Sequence, residues 1–243
     1  MAGKFYIVGI GPGDHELVTV KALKIAKEAD VIALSVCDPD IDEISTFEKG
    51  EKSEFQCSVL SDSAPFEVVN ASQPIIEKEF LLSGIPMMKD EKIMEKIYSD
   101  FSKKIIELLK NDKNVALLVM GDPTVYTSEF TVFESILNKG FDCEIISGIP
   151  IFCSASACAK TSLANGNEQI RVYGDSSELD HSLYLPGTKV FLKIGKNIPR
   201  LKAASISKKV VIVEDCGLPS EHTYENMEDI PAHVSYASIA VVK

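Results

Sequence analysis

A short apolar run at residues 5–8 ends in Gly9-Ile10-Gly11-Pro12-Gly13-Asp14, and that junction constrains the fold more than any other stretch of the chain. Beyond it Thr19 precedes a helical pattern, with Val20, Leu23, Ile25 and Ala26 apolar and lysines on the other face. Asp30 ends that helix, and residues 31–34 make a second strand. Strand, glycine turn, helix and strand in that order form a β-α-β unit. Such a unit needs a parallel sheet.

The pattern then breaks. Residues 37–75 are acidic and rich in serine, with prolines at 39, 65 and 74 and weak periodicity, so an irregular insertion with one short helix is expected there. Order returns at 79–82. The strongest helix spans 90–110, where Ile93, Met94, Ile97, Phe101, Ile105, Ile106, Leu108 and Leu109 form one broad stripe. A buried strand at 115–120 runs into Gly121-Asp122-Pro123-Thr124-Val125-Tyr126, a second sharp turn at a strand end. A helix over 129–138 closed by Gly140, a strand at 143–146, the turn Ser147-Gly148-Ile149-Pro150 and a helix over 152–159 follow. The last third reads mainly as strands, at 169–173, 189–194, 210–214 and 235–242, with one helix near 198–205. An α/β first half and a mixed second half predict two domains, 1–119 and 120–243.

Charge and composition exclude several functions. Thirty-six acids against 25 bases leave a net charge of -11, which argues against nucleic acid as a partner. No apolar run approaches the ~20 residues of a membrane helix, and the N-terminus lacks a signal-peptide pattern, so a cytoplasmic protein is expected. The six cysteines, at 37, 57, 143, 153, 158 and 216, contain no C-x-x-C pair and read as reduced thiols. The four histidines are scattered, and no protein-built metal site is expected.

The first glycine turn is wrong for a dinucleotide. Gly11 and Gly13 are two apart where three are needed, Pro12 offers no N–H to a phosphate, and the helix begins several residues late. No Gly-Lys-Ser/Thr follows, which rules out a P-loop. The common Rossmann-type methyltransferase turn fits better by spacing, but Ile7 and Val8 stand where that motif carries an acid.

The turns in combination, Gly-x-Gly-Pro-Gly-Asp and then Gly-Asp-Pro about a hundred residues on, resemble those of the tetrapyrrole methylase family. The opening stretch YIVGIGPGDHELVTVKALKIAKEADVIALS resembles that family almost throughout. Pro86-Met87-Met88-Lys89-Asp90 before the long helix is similar to the branch that methylates C(20) of precorrin-2 or its cobalt-loaded relative. So are Gly121-Asp122-Pro123-x-x-Tyr126, Gly166-Asn167-Glu168, Lys193-Ile194-Gly195-Lys196-Asn197 and Glu214-Asp215-Cys216-Gly217. Residues 35–75 match poorly, and Ser147-Gly148-Ile149-Pro150-Ile151 replaces a more usual Pro-Gly-Val-Ser-Ser.

The resemblance implies a two-domain α/β fold with a parallel-sheet N-terminal domain on the tetrapyrrole side. A mixed-sheet C-terminal domain would lie on the cofactor side, with the cofactor cleft between the two. It implies an S-adenosyl-L-methionine-dependent C-methyltransferase of cobalamin biosynthesis, releasing S-adenosyl-L-homocysteine and working as a homodimer on a small-molecule tetrapyrrole. The donor's methyl is already activated on a sulfonium, so alignment is the main task and no nucleophilic side chain is required. Gly11, Pro12, Gly13, Met120, Gly121, Asp122, Val125, Pro150, Ile151, Ile194 and Cys216 are the implied cofactor contacts. Lys89, Met87 and Tyr126 are the implied tetrapyrrole contacts, with Lys193, Lys196 and Arg171 as weaker bases for its carboxylates. Read from the residues alone, Asp122 is equally an Asx-turn or cap, Met120, Ile194 and Tyr126 are equally core, and Lys89 equally caps a helix. Other family chemistries (another ring position, or diphthine synthesis) and a catalytically silent carrier are the alternatives.

Overall fold

A computed structural model of the protein describes residues 2–36, 44–47, 65, 69–70, 78–84, 90–205 and 208–243. Met87, Lys89, Cys37 and Cys57, and the short helix expected in 37–75, lie outside these residues or are only touched by them.

The chain divides into two compact units, 1–149 and 150–243. In the first, β1 (Phe5–Gly9), β2 (Val31–Val36), β4 (Glu79–Gly84), β5 (Val115–Val119) and β6 (Cys143–Ile146) pair in parallel. A further strand, β3 (Ile44–Phe47), adds an antiparallel edge beside β4, giving the order β3-β4-β2-β5-β1-β6. That strand falls in the stretch expected to be irregular. Weak periodicity hides an edge strand, because its order comes from pairing with β4.

Alternation along β1 sends successive side chains to opposite faces. Val8 and Ile10 pack with α1 (Val20–Glu28) on one side, through Ala22, Ile25 and Ala26. Phe5 and Ile7 pack on the other side with α2 (Glu91–Lys110) and α3 (Phe130–Leu137). The stripe expected on α2 buries Tyr98, Phe101, Ser102, Ile105, Ile106 and Leu109. Thr19 caps α1 as its place before the helical pattern suggests, and Asp90, read from sequence as the first helical residue, is instead the cap of α2. The Thr19 hydroxyl accepts from the Ala22 amide at 3.2 Å, and Asp90 Oδ1 from the Lys92 and Ile93 amides at 3.0 and 3.2 Å.

The domain boundary expected at 119/120 moves to 149/150. Residues 120–149 carry α3 and β6, and β6 pairs with β1 from Phe5↔Cys143 to Val8↔Ile146. A strand hydrogen-bonded inside the first sheet belongs to the first unit, whatever its composition.

The second unit holds α4 (Ile151–Cys158), α5 (Leu179–Ser182), α6 (Ile198–Ala204) and a mixed sheet. Its strands are β7 (Ile170–Tyr173), β8 (Thr188–Phe191), β9 (Val210–Glu214), β10 (His222–Tyr224) and β11 (Ser238–Val242), in the order β10-β9-β11-β8-β7. Only β7 and β8 run parallel. The short β10 and α5 were not read from sequence; three or four residues are too few to show a period. Among the described residues no helix is long and apolar enough to cross a membrane.

One ionic link ties three elements of the first unit. Glu144 on β6 accepts from Lys21 of α1 at 2.6 Å and meets Lys4, just before β1, at 3.0 Å. Hydrogen bonds from Lys21 and then Lys4 lower the Glu144 pKa. A lowered folded pKa contributes stability above the unfolded value and loses it as pH falls through the folded one. Glu144→Gln is expected to lower Tm by no more than about 2–4 °C near pH 6, as suits a surface link worth at most about 1 kcal/mol. The difference from the unsubstituted protein should close as pH falls below the ordinary glutamate range, followed by thermal melts across that range.

Candidate functional site

Three loops leave the carboxyl ends of the neighbouring strands β5, β1 and β6, and each is built on glycine. Gly9 closes β1, Gly121 follows β5 and Gly148 follows β6. The first two loops are joined in both directions: the Gly11 amide donates to the Gly121 carbonyl at 3.2 Å, and the Gly121 amide to the Gly11 carbonyl at 2.7 Å. A Cβ on Gly9 would lie 2.6 Å from the Gly121 oxygen and 2.7 Å from the Gly148 nitrogen. A Cβ on Gly148 would strike the Gly121 carbonyl oxygen and lie 2.7 Å from the Gly9 carbonyl carbon. No side chain fits at either position, so the loops pack backbone against backbone.

The place is also a topological switch point. From β1 the chain crosses through α1 to β2, on the far side of β5; from β5 it crosses through α3 to β6, on the far side of β1. The helices lie on opposite faces. Ligands of open α/β sheets bind outside the strand ends at such a divergence.

Asp122 fastens the second loop to the third. Its carboxylate is buried, with Oδ1 accepting from the Thr124 amide at 2.9 Å and the Thr124 hydroxyl at 2.6 Å. Oδ2 accepts from the Gly148 amide at 3.1 Å. The contact to Thr124 is the Asx-turn that the residues allow; the contact to Gly148 spans 26 positions and was not legible in sequence. Asp122 therefore shapes the site through the loops it holds.

Pro12, Gly13 and Gly121 are buried, and Met120 is half-buried against the core on the α1 face. The half-buried Val125 donates its amide to the Asp122 carbonyl at 3.1 Å, closing the turn. Tyr126 has φ +53° and is 54% exposed, so the core reading fails for it. The amides of Gly13 and Asp122, both in buried residues, donate to no acceptor among the described residues. Buried N–H groups are nearly always paired, so these two suit a ligand's acceptor atoms.

The remaining expected contacts belong to the second unit. Pro150 precedes α4 and accepts from the Cys153 amide at 2.9 Å; Ile151, the first helical residue, is half-buried against the core that contains Val211 and Ile239. Ile194 is fully buried with Phe191, Ile198 and Leu201, which is the core reading. Cys216 is 4% exposed and packs with Val213 and Ile239. Burial pushes the thiols of Cys143 and Cys158 up to about 11 and about 12, and raises that of Cys216. Protonated thiols make poor nucleophiles.

The profile of the Tetrapyrrole (Corrin/Porphyrin) Methylases matches residues 4–231. The chain belongs to the tetrapyrrole methylases. This methylase is accordingly an S-adenosylmethionine-dependent methyltransferase. It is 26% identical over 249 residues to a Methanocaldococcus jannaschii protein named a probable cobalt-precorrin-2 C(20)-methyltransferase, covering 99% of this chain and 96% of that one. It is 27% identical over 211 residues to the precorrin-2 C(20)-methyltransferase of a Sinorhizobium species, covering 83% of this chain and 78% of that one. In fold it is similar to the uroporphyrin-III C-methyltransferase of Thermus thermophilus solved with S-adenosyl homocysteine. The TM-score there is 0.62 at 19% identity, over 99% of this chain and 97% of that one.

If Asp122 works by tying loops, its loss should register in stability. Asp122→Ala strands a Gly148 amide and frees the Thr124 turn, and is expected to cost about 2–4 kcal/mol in urea unfolding. Thr124→Ala removes only the hydroxyl's share and should cost about 1 kcal/mol. Equal costs for the two variants would mean that the link to Gly148 contributes little.

Proposed function

We propose that this methylase transfers a methyl group from S-adenosylmethionine to C(20) of precorrin-2 or its cobalt-loaded form, in corrinoid assembly. The observation that carries the position is the likeness, over nearly the whole of both chains, to the protein named a probable cobalt-precorrin-2 C(20)-methyltransferase. The Pro86-Met87-Met88-Lys89-Asp90 segment supports the same branch. A tetrapyrrole acceptor, a cytoplasmic location and a homodimer belong to the same proposal and rest on the family resemblance.

The donor supplies an activated methyl on sulfonium for in-line displacement by an electron-rich ring carbon. What the chain must contribute is alignment and the exclusion of water. Gly11, Pro12, Gly13, Met120, Gly121, Asp122 and Val125 would hold the donor, chiefly through backbone groups. The amides of Gly13 and Asp122, which meet no acceptor among the described residues, support that mode. Pro150 and Ile151 are further donor contacts that the family resemblance implies. Met87, Lys89 and the exposed ring of Tyr126 would meet the macrocycle. No thiolate is asked of the chain, in keeping with the raised thiols, and the proton released from the ring carbon after transfer would leave to water or to a carboxylate of the substrate.

Incubating the protein with precorrin-2 and with its cobalt form, each with isotopically labelled donor, tests the reading by mass spectrometry and carbon NMR of the product. One labelled methyl at C(20) is expected. A methyl at another ring position would overturn the C(20) assignment, and binding without release of S-adenosylhomocysteine would indicate a carrier.

Lys89 carries the riskier part. A chain of net charge -11 repels a polycarboxylate at long range, so local cations must do the binding. Lys89→Met is expected to weaken tetrapyrrole binding about ten- to a hundred-fold, the value of one charge-assisted hydrogen bond, with donor affinity nearly unchanged. Separate titrations of the two ligands decide it: equal losses for both would assign Lys89 a structural role.

A further inference from the structure

We infer that Cys158, Cys216 and Glu221 form a binding site for one thiophilic divalent ion of the zinc type. They are the one cluster of three potential metal-ligating side chains among the described residues, and their ligand atoms all lie within 4.8 Å of one another. Cys158 ends α4, while Cys216 and Glu221 sit in the turn between β9 and β10. All three belong to the second unit, so the site does not depend on the methyl-transfer assignment.

The spacing suits an ion better than it suits a disulfide. The two sulfurs are 3.9 Å apart. A tetrahedral ion at ~2.3 Å from each of two sulfurs holds them ~3.8 Å apart, and a carboxylate oxygen at ~2.1 Å would then lie ~3.6 Å from either sulfur. Here Glu221 Oε2 is 3.2 Å from the Cys158 sulfur. A disulfide would need the sulfurs at ~2.05 Å.

The carboxylate ligand is also braced from outside. The Gly217 amide donates to Glu221 Oε2 at 2.8 Å. Outer partners of this kind fix ligand orientation in metal sites. Two sulfurs and one carboxylate favour zinc-like ions over magnesium or calcium. Cys216 is buried, Cys158 is half-buried and Glu221 is exposed, which leaves a fourth position for water. As the two metal–sulfur bonds form, the two thiol protons leave to solvent. The bound ion would clip the end of α4 to the β9–β10 turn.

Cobalt(II) added to the reduced, chelator-treated full chain tests the site, with no tetrapyrrole or donor present. One equivalent should give thiolate-to-cobalt charge-transfer absorption and the intense visible bands of a tetrahedral ion, and one equivalent of zinc should displace it. Cys158→Ser should abolish the charge-transfer band. Glu221→Gln, an exposed change that leaves the fold alone, should weaken binding at least about tenfold. The exposed Cys153→Ser, outside the cluster, should change neither. Zinc should raise the Tm of the unsubstituted chain and not that of Cys158→Ser. Absence of thiolate absorption in the reduced protein, or cobalt affinity unchanged by Cys158→Ser and Glu221→Gln, overturns the assignment.

Discussion

The buried carboxylate of Asp122 is the contact on which the candidate site rests. One oxygen accepts from Thr124 in its own loop and the other from Gly148 in the next. A third loop is joined to the second by the paired amides and carbonyls of Gly11 and Gly121. These few bonds hold three strand ends at a separation where Gly9 and Gly148 have no room for a Cβ. Replacing either glycine would force backbone to move, because the obstructing atoms are carbonyl and amide groups rather than flexible side chains.

A candidate site assembled this way would present backbone to a ligand. That suits methyl transfer from a donor that arrives activated, where rate depends on alignment more than on a reactive side chain. It also accounts for a family resemblance carried by glycine and proline turns rather than by a catalytic set. The sheet beneath supplies rigidity, since β1 and β5 are central strands paired on both edges and covered by helices on both faces.

The second unit follows a different logic. Its cores hold the side chains of Ile194 and Cys216, two positions that the family resemblance suggests for cofactor contact. Cys216 stands at the edge of that core, where its sulfur faces Cys158 and is within reach of Glu221. Cys216 thus has polar company on one side, and burial keeps its thiol protonated when no ion is present.

Periodicity and turn chemistry decided what could be decided locally. The β-α-β opening, the stripe of α2, the cap at Thr19 and the strand at 143–146 all follow from residues close together in the chain, because such features depend on neighbours a few positions away. The glycine and Gly-Asp-Pro turns likewise marked strand ends that the structure brings side by side. Tertiary structure alone decided the rest. Pairing of β6 with β1 moved the domain boundary to 149/150, and pairing with β4 made a strand of residues 44–47. The switch point between β1 and β5, the bond from Asp122 to Gly148, and the meeting of Cys158 with Cys216 join residues 26 to more than a hundred positions apart. No local pattern records such pairs; they exist only once sheet order brings their strand ends side by side.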